Sequence, residues 1–333
     1  MHTASRNGLQ LGTTIFSFNN EYHSRRYTFE QLVAKVGELG LGPGLEIVGF
    51  SHIRGFPAVS DEFAERLHSL IDRYKLQLSC LGINADAYIR RDRRMGDDES
   101  YAYHEAQIRA AARLGFPVAR YQFMAGPDVI RRLAPLAEKL NVKLGLEIHA
   151  PERPDSRDVL AYREMYAKVN SPYLGFIPDM GASARAVPPS LLNWLRNGGI
   201  QEKFIQIAVE SWSLDGSRED RAAEYRKREE AAGASEMDIR KMFMMFTMIG
   251  RMEPRGWLEI MPQVIHIHGK CYDFDANDHE VAIPYEELLP IFQKGGYKGF
   301  ISTEWEGQAF NDEDGFAKVQ AHHRLSKRIL GRA

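Results

Sequence analysis

Cysteine is nearly absent from this chain of 333 residues: it has two, Cys80 and Cys271, far apart in sequence. They exclude a disulfide scaffold, and a chain of this length can bury most of its apolar surface without staples. Long apolar runs are missing too. None approaches the ~18 residues that a membrane span requires, and residues 1–7 carry no apolar stretch of the kind that opens a secretory leader. A cytoplasmic protein with no membrane partner is therefore expected. Charge of one sign is not in surplus either, since 43 Lys and Arg stand against 45 Asp and Glu. That balance argues against nucleic acid, whose partners carry a basic surplus or stripe. The run Arg90-Arg91-Asp92-Arg93-Arg94, followed by Asp97, Asp98 and Glu99, reads as a solvated loop. Also lacking is a G-x-G-x-x-G after the first strand-like segment, which runs instead into Thr13-Thr14-Ile15-Phe16-Ser17. The phosphate turn of an open dinucleotide-binding sheet is thereby missing.

What is present is an alternation of short apolar runs with amphipathic stretches, the pattern of parallel βαβ units. Strands are expected at 9–15, 45–48, 76–83, 118–123, 142–148, 174–178, 264–268 and 300–304. Thr28-Phe29-Glu30-Gln31 is a capping box, with Leu32, Val33, Val36 and Leu39 as the helical stripe behind it. Further helices are expected near 63–74, 101–114, 129–140, 159–169, 285–293 and 316–330. The rhythm breaks between 178 and 264, where helices read at 190–196, 220–232 and 236–249. The first is taken as the expected outer helix and the rest, about 201–256, as an insertion. Its last helix is rich in methionine, with Met242, Met244, Met245 and Met248 beside Phe243 and Phe246. Such a stretch packs or docks, and it also suits adaptable binding. Eight strand–helix units predict one (β/α)8 barrel domain over 1–333, with a helical insertion between strands six and seven.

Working residues of such barrels sit at the C-terminal ends of strands. Strand five ends in Glu147-Ile148-His149, strand six in Pro178-Asp179, strand seven in His266-Ile267-His268-Gly269-Lys270, and strand eight in Glu304-Trp305-Glu306. Residues two apart on a strand share a face, so Glu147 and His149, His266 and His268, and Glu304 and Glu306 pair off in this way. If Glu147, Asp179, His268 and Glu304 converge, three carboxylates crowd one imidazole. Packed carboxylates resist ionising together, and a divalent cation removes the conflict. Oxygen and nitrogen ligands suit Mn²⁺ first, with Mg²⁺, Co²⁺, Fe²⁺ and Zn²⁺ as alternatives.

These runs, with Leu144-Gly145-Leu146 and Gly299-Phe300-Ile301-Ser302-Thr303 leading into them, resemble the xylose isomerase-like barrels, a superfamily of ketose epimerases, inosose dehydratases and related sugar enzymes. The resemblance implies one metal held by Glu147, Asp179, His268 and Glu304. Where ketose epimerases often carry a histidine three residues after the strand-six aspartate, this chain has Ala182. The Glu-x-His pair on strand five, the Thr303-Glu304-Trp305-Glu306-Gly307 segment and the insertion are similar to the large subunit of bacterial C-glycoside deglycosidases. That narrower resemblance implies a sugar or glycoside substrate, cleavage of the carbon–carbon bond of a 3-keto-C-glycoside, a small β-rich second subunit and an oligomer. Ketose or inosose isomerisation, epimerisation or dehydration is the alternative. Both share loss of a proton next to a carbonyl, with the metal stabilising the enediolate. His149 is the candidate base, or else it orients Glu147. Lys270 joins it as a catalytic group, and His266, Trp305 and Glu306 are candidates for substrate contact. His266 reads equally as a buried hydrogen-bonded histidine, and Trp305 as part of the barrel wall.

Overall fold

A computed structural model describes residues 8–84 and 86–332. The strands are β1 (Gln10–Thr14), β2 (Gly44–Val48), β3 (Gln77–Gly82), β4 (Val118–Tyr121), β5 (Lys143–Ile148), β6 (Leu174–Pro178), β7 (Ile267–Cys271) and β8 (Phe300–Trp305). They form one parallel sheet in the order β6-β5-β4-β3-β2-β1-β8-β7. The two edges of that order meet. Phe176 bridges Val264, Asp179 bridges His268, and the Ile265 amide donates to the Phe176 carbonyl at 3.1 Å. This seam, looser than the other pairings, completes the barrel, and it is where the long insertion leaves and returns. Gly175 belongs to its geometry, because a Cβ there would stand 2.5 Å from the Gln263 carbonyl oxygen.

Strand seven runs three residues beyond its expected end at 268, so His268 and Lys270 are interior strand positions. Their polarity hid the strand: side chains at a barrel mouth break the apolar run by which strands are read. The capping box at Thr28 is formed, with the Gln31 side-chain oxygen accepting from the Thr28 amide. The arginine run at 90–94 is exposed, and Glu99 ties Arg90 and Arg93.

Three features of the 178–264 segment differ from expectation. A helix at Glu202–Ser213, not anticipated, buries Phe204, Ile205, Ala208 and Trp212. The methionine-rich helix breaks at Phe243 into Glu236–Met242 and Met244–Met248, with Met242, Met245 and Phe246 buried. The outer-layer place after β6 is filled by the 3₁₀ run Pro254–Gln263: it packs on β6 and on helix Tyr285–Lys294, and Glu259 pairs with Arg163 of helix Arg157–Val169 at 2.8 Å. The helix at Pro189–Asn197 instead lies by the loops after β7 and β8, its Ser190 amide on Asp273 and Trp194 against Phe310. Among the described residues no helix is long and apolar enough to cross a membrane.

The main apolar core fills the space between strands and outer helices, and a small cluster of Cys80, Val118 and Ile177, backed by Ile265, lies apart from it. The core also holds neutral histidines. Burial pulls the pKa of His52 and of His323 down to about 4, and pushes His322 well below its usual range. A histidine depressed in the fold leaves stability intact above the unfolded value of about 6.5 and removes it as pH falls, because the unfolded chain then binds more protons. We expect the urea midpoint to fall between pH 6.5 and 4, His323 accounting for roughly 3 kcal/mol at the lower end. His323→Gln, which can still donate to the Gly12 carbonyl, should flatten that decline by about one proton. An unchanged slope would show that His323 is not held neutral.

Candidate metal centre

The mouth of the barrel gathers the four residues the strand ends pointed to. Glu147, Asp179, His268 and Glu304 are buried, and each offers one ligand-type atom lying within 4.8 Å of the others. Glu147 closes β5, Asp179 follows β6, His268 is the second residue of β7, and Glu304 lies on β8. The ladder brings the last two together by placing His268 opposite Ser302 and Lys270 opposite Glu304. The Asp179–His268 bridge fixes β6 against β7 at the same height.

His268 is the hub. Its Nδ1 stands 2.7 Å from Glu147 Oε1 and 3.3 Å from Glu304 Oε2, and its Nε2 stands 2.9 Å from Glu46 Oε1. Carboxylates only accept, so both ring nitrogens carry hydrogen when no cation is present. Burial opposes that charge, but Glu46, Glu304 and Glu147 outweigh it and hold the His268 pKa well above its ordinary value. Glu147 is held well below the usual carboxylate range: burial would raise it, and Arg120 with His268 more than reverses this. Arg120 donates to Glu147 Oε2 at 2.6 Å, and Gln122 does so at 3.1 Å. Room for Arg120 comes from Gly82, where a Cβ would meet its Nη2 at 2.7 Å.

Lys270 Nζ lies 3.1 Å from Asp179 Oδ2, 3.0 Å from Glu304 Oε2 and 2.7 Å from Glu306 Oε2. Burial raises Asp179 above its usual value, whereas Lys270 and His268 overcome burial to bring Glu304 down to about 2. His149 is partly exposed. Its Nδ1 is 2.6 Å from the Ala150 carbonyl, and its Nε2 is 3.7 Å from Asp179 Oδ2. Burial and Lys270 disfavour its charged form, but Asp179, Glu306 and Glu147 raise its pKa on balance.

A cleft of about 150 Å³ opens over these groups, bordered by His149, Lys270, Glu304 and Glu306 and by Phe16, Phe50, Asn84 and Gln122. A larger cavity, about 650 Å³, is lined by none of the cluster residues and lies between residues 151–158 and the insertion. Two candidates for substrate contact do not border the cleft. His266 is buried with Nε2 on Glu46 and Ser302, and Trp305 is buried with its indole donating to the Tyr272 carbonyl. Their burial accords with the other reading of each, a hydrogen-bonded buried histidine and a part of the barrel wall. Glu46, Arg120 and Gln122 went unread, although a lone charge inside Leu45-Glu46-Ile47-Val48 or Val118-Ala119-Arg120-Tyr121 is the available signal.

The cluster fits a divalent cation. Glu46, Glu147, Asp179, Glu304 and Glu306 face two permanent cations, Arg120 and Lys270, inside one low-dielectric mouth. Asp179 Oδ2 and Glu304 Oε2 are buried and accept no hydrogen bond. Two carboxylate oxygens held by ion pairs alone, beside an imidazole, are the donor set of a mixed O/N site.

A parallel barrel of this build has the xylose isomerase-like fold. Over 97% of this chain and 98% of its own, the solved IOLI protein with a bound zinc atom matches at TM-score 0.57 and 12% identity. A sugar phosphate isomerase/epimerase from Parabacteroides distasonis matches at TM-score 0.55 and 12% identity over 100% and 96%. Both likenesses show the fold. No protein-family model matches the chain. Sequence relatives are closer. A 3'-dehydrocarminate deglycosidase alpha subunit from Microbacterium is 39% identical over 97% of this chain and 95% of its own. A C-glycoside deglycosidase alpha subunit from Arthrobacter globiformis is 37% identical over 98% and 94%. The chain belongs to the family of C-glycoside deglycosidase alpha subunits.

If Arg120 is what lets Glu147 stay charged while buried, Arg120→Met strands a buried carboxylate. The expected loss is about 3–5 kcal/mol in urea unfolding. A loss under about 1 kcal/mol would mean that His268 alone suffices.

Proposed function

We propose that this chain is the catalytic subunit of a metal-dependent enzyme that releases the aglycone from a 3-keto-C-glycoside. The observation that carries the reading is the convergence of Glu147, Asp179, His268 and Glu304 on one point, in a chain of this family. These four would hold the ion, Mn²⁺ first because the set is rich in carboxylates. When bound, a divalent cation supplies Lewis-acid charge to the oxygens of a keto-sugar.

The chain's own groups do the rest. His149 borders the cleft with its Nδ1 tied to the Ala150 carbonyl and its Nε2 standing 3.5 Å from Lys270 Nζ and 3.7 Å from Asp179 Oδ2. It takes the proton from the carbon between the ketone and the glycosidic carbon. The electron pair left behind forms a double bond to the glycosidic carbon as the bond to the aglycone breaks. The aglycone leaves with that bonding pair and takes up a proton, so atoms and charge balance. Lys270, fixed by Glu306, sets positive charge beside the reacting oxygens. Phe16 and the half-exposed Phe50 offer apolar faces at the rim for an aromatic ring. Glu306 is the remaining candidate for substrate contact, while the burial of His266 and Trp305 removes support for such a role.

The relatives are called alpha subunits, and a small second subunit is accordingly proposed as partner, within a larger oligomer. Two buried, unpaired cysteines suit a reducing compartment, and we read the chain as cytoplasmic. Residues 1–333 are read as one barrel domain that carries 201–256 as its insertion.

The test is aglycone release from a 3-keto-C-glycoside by the chain with its copurified partner. Activity should vanish with a chelator and return with Mn²⁺. Glu304→Gln should lose both metal and activity. Ketose interconversion by the lone chain, with no aglycone released, would replace this reading by an epimerase. His149→Asn should bind metal like the parent and release aglycone about 10²–10⁴ times more slowly. Full activity in that variant would remove His149 as the base.

A further inference from the structure

Glu46 lies on β2, a strand that contributes none of the four ligands, and it is completely buried. Its two oxygens are spent on two imidazoles: Oε1 stands 2.9 Å from His268 Nε2 and Oε2 2.9 Å from His266 Nε2. Ser302 Oγ completes the arrangement at 3.0 Å from His266 Nε2. Arg120 reaches Glu46 only at 3.6 Å through Nε, an atom that makes no hydrogen bond, while its strong contact is with Glu147. Glu46 is thus not chiefly the counter-ion of Arg120. Its geometry is directed at the histidines.

We propose that Glu46 is the positioning residue of the metal centre: it fixes His268 in the Nε2–H form and orientation, so that the Nδ1 lone pair is delivered to the point shared with Glu147, Asp179 and Glu304. An imidazole has two nitrogens, and a ligand must offer one of them free of hydrogen. A carboxylate on the far nitrogen selects which, holds the ring plane, and raises the basicity of the ligating atom. His266 is the second arm of the same device. Its contacts with Glu46 and Ser302 tie the carboxylate to β7 and β8, so Glu46 cannot rotate away from His268 without giving up its 2.9 Å contact with His266 as well. This gives the buried His266 a task that substrate contact does not. The inference rests on the metal reading above and deepens it.

The experiment titrates Mn²⁺ into chelator-treated protein by calorimetry, for the parent, Glu46→Gln and Ser302→Ala, with far-UV dichroism as the fold control. The ring nitrogens of His268 are followed by ¹⁵N resonances with Zn²⁺ bound. Expected are one ion per parent chain, a loss of metal affinity of about 10–100-fold in Glu46→Gln, a shift of the His268 nitrogens away from the Nε2–H pattern, and near-parent affinity in Ser302→Ala. Should Glu46→Gln bind within twofold of the parent with unchanged His268 resonances, the assignment is overturned. It is equally overturned if the parent binds two ions and Glu46→Gln one, since Glu46 is then itself a ligand, with His266 and His268 as its companions. A parent that binds no metal would instead overturn the proposed metal site. If Glu46→Gln does not fold, Glu46→Asp replaces it; its carboxylate is one methylene short of both rings, so the same loss of affinity is expected, and unchanged affinity counts against the proposal.

Discussion

The charge balance inside the barrel mouth constrains everything around it. Glu46, Glu147, Asp179, Glu304 and Glu306 come from five different places on the sheet and its loops, yet they share one interior with Arg120 and Lys270. Desolvation acts against the ionised form of a carboxylate in such a place, and nearby positive charge acts for it. The outcome differs by neighbour. Glu46, Glu147 and Glu304, each in reach of His268 and of Arg120 or Lys270, are held down, while Asp179 is raised. The acid with the least compensation is also one with an oxygen that accepts no hydrogen bond. Buried negative charge in the mouth thus outnumbers the permanent positive charge there, a setting that suits a divalent cation.

The barrel was legible in the sequence because its elements obey local rules. Alternating apolar runs and amphipathic stretches placed all eight strands, and the Thr28 box formed as read. Strand six matches its expected bounds, whereas β7 does not, and the contrast is physical. Leu174–Pro178 is apolar throughout, but Ile267–Cys271 alternates with His268 and Lys270, which point into a polar mouth that sequence periodicity reads as loop. The same blindness explains Glu46 and Arg120. Both sit one residue from apolar neighbours on short strands, and their partners are 222 and 27 residues away in sequence. No local pattern carries such pairing. The helix at Glu202–Ser213 is a different omission, since its buried Phe204, Ile205, Ala208 and Trp212 fall at helical spacing and could have been found. The run Pro254–Gln263 also buries Pro254, Trp257, Ile260 and Met261 at near-helical spacing, but the prolines near its start and end disguise it.

The ligands come from β5 to β8 and the loop after β6, but their state is set from β2 and β4. Glu46 reaches His268 across the interior, and Arg120 and Gln122 reach Glu147 from the strand beside it and the loop that follows. A small residue makes the second reach geometrically available, for the absent side chain of Gly82 is where the Arg120 guanidinium passes. The β5–β8 half thus presents the ligands together with Lys270, and the other half presents Arg120, Gln122 and Glu46, which hold Glu147 and His268. A reading confined to strand ends sees the first half only.

Lys270 poses the remaining question, since an ammonium that ion-pairs with two oxygens of the quartet would compete with any cation drawn to the same oxygens. Glu306 resolves it. At 2.7 Å it is the nearest carboxylate to Lys270 Nζ, it lies outside the quartet, and it takes a hydrogen bond from Tyr272 at 3.2 Å. Lys270 therefore has a counter-charge outside the quartet in addition to Asp179 and Glu304. Were Glu306 absent, the cost of burying an unpaired ammonium would press Lys270 onto those two acids and set it against metal binding. With Glu306 present, the Lys270 charge keeps a partner outside the quartet and can stay beside the oxygens that would hold a cation.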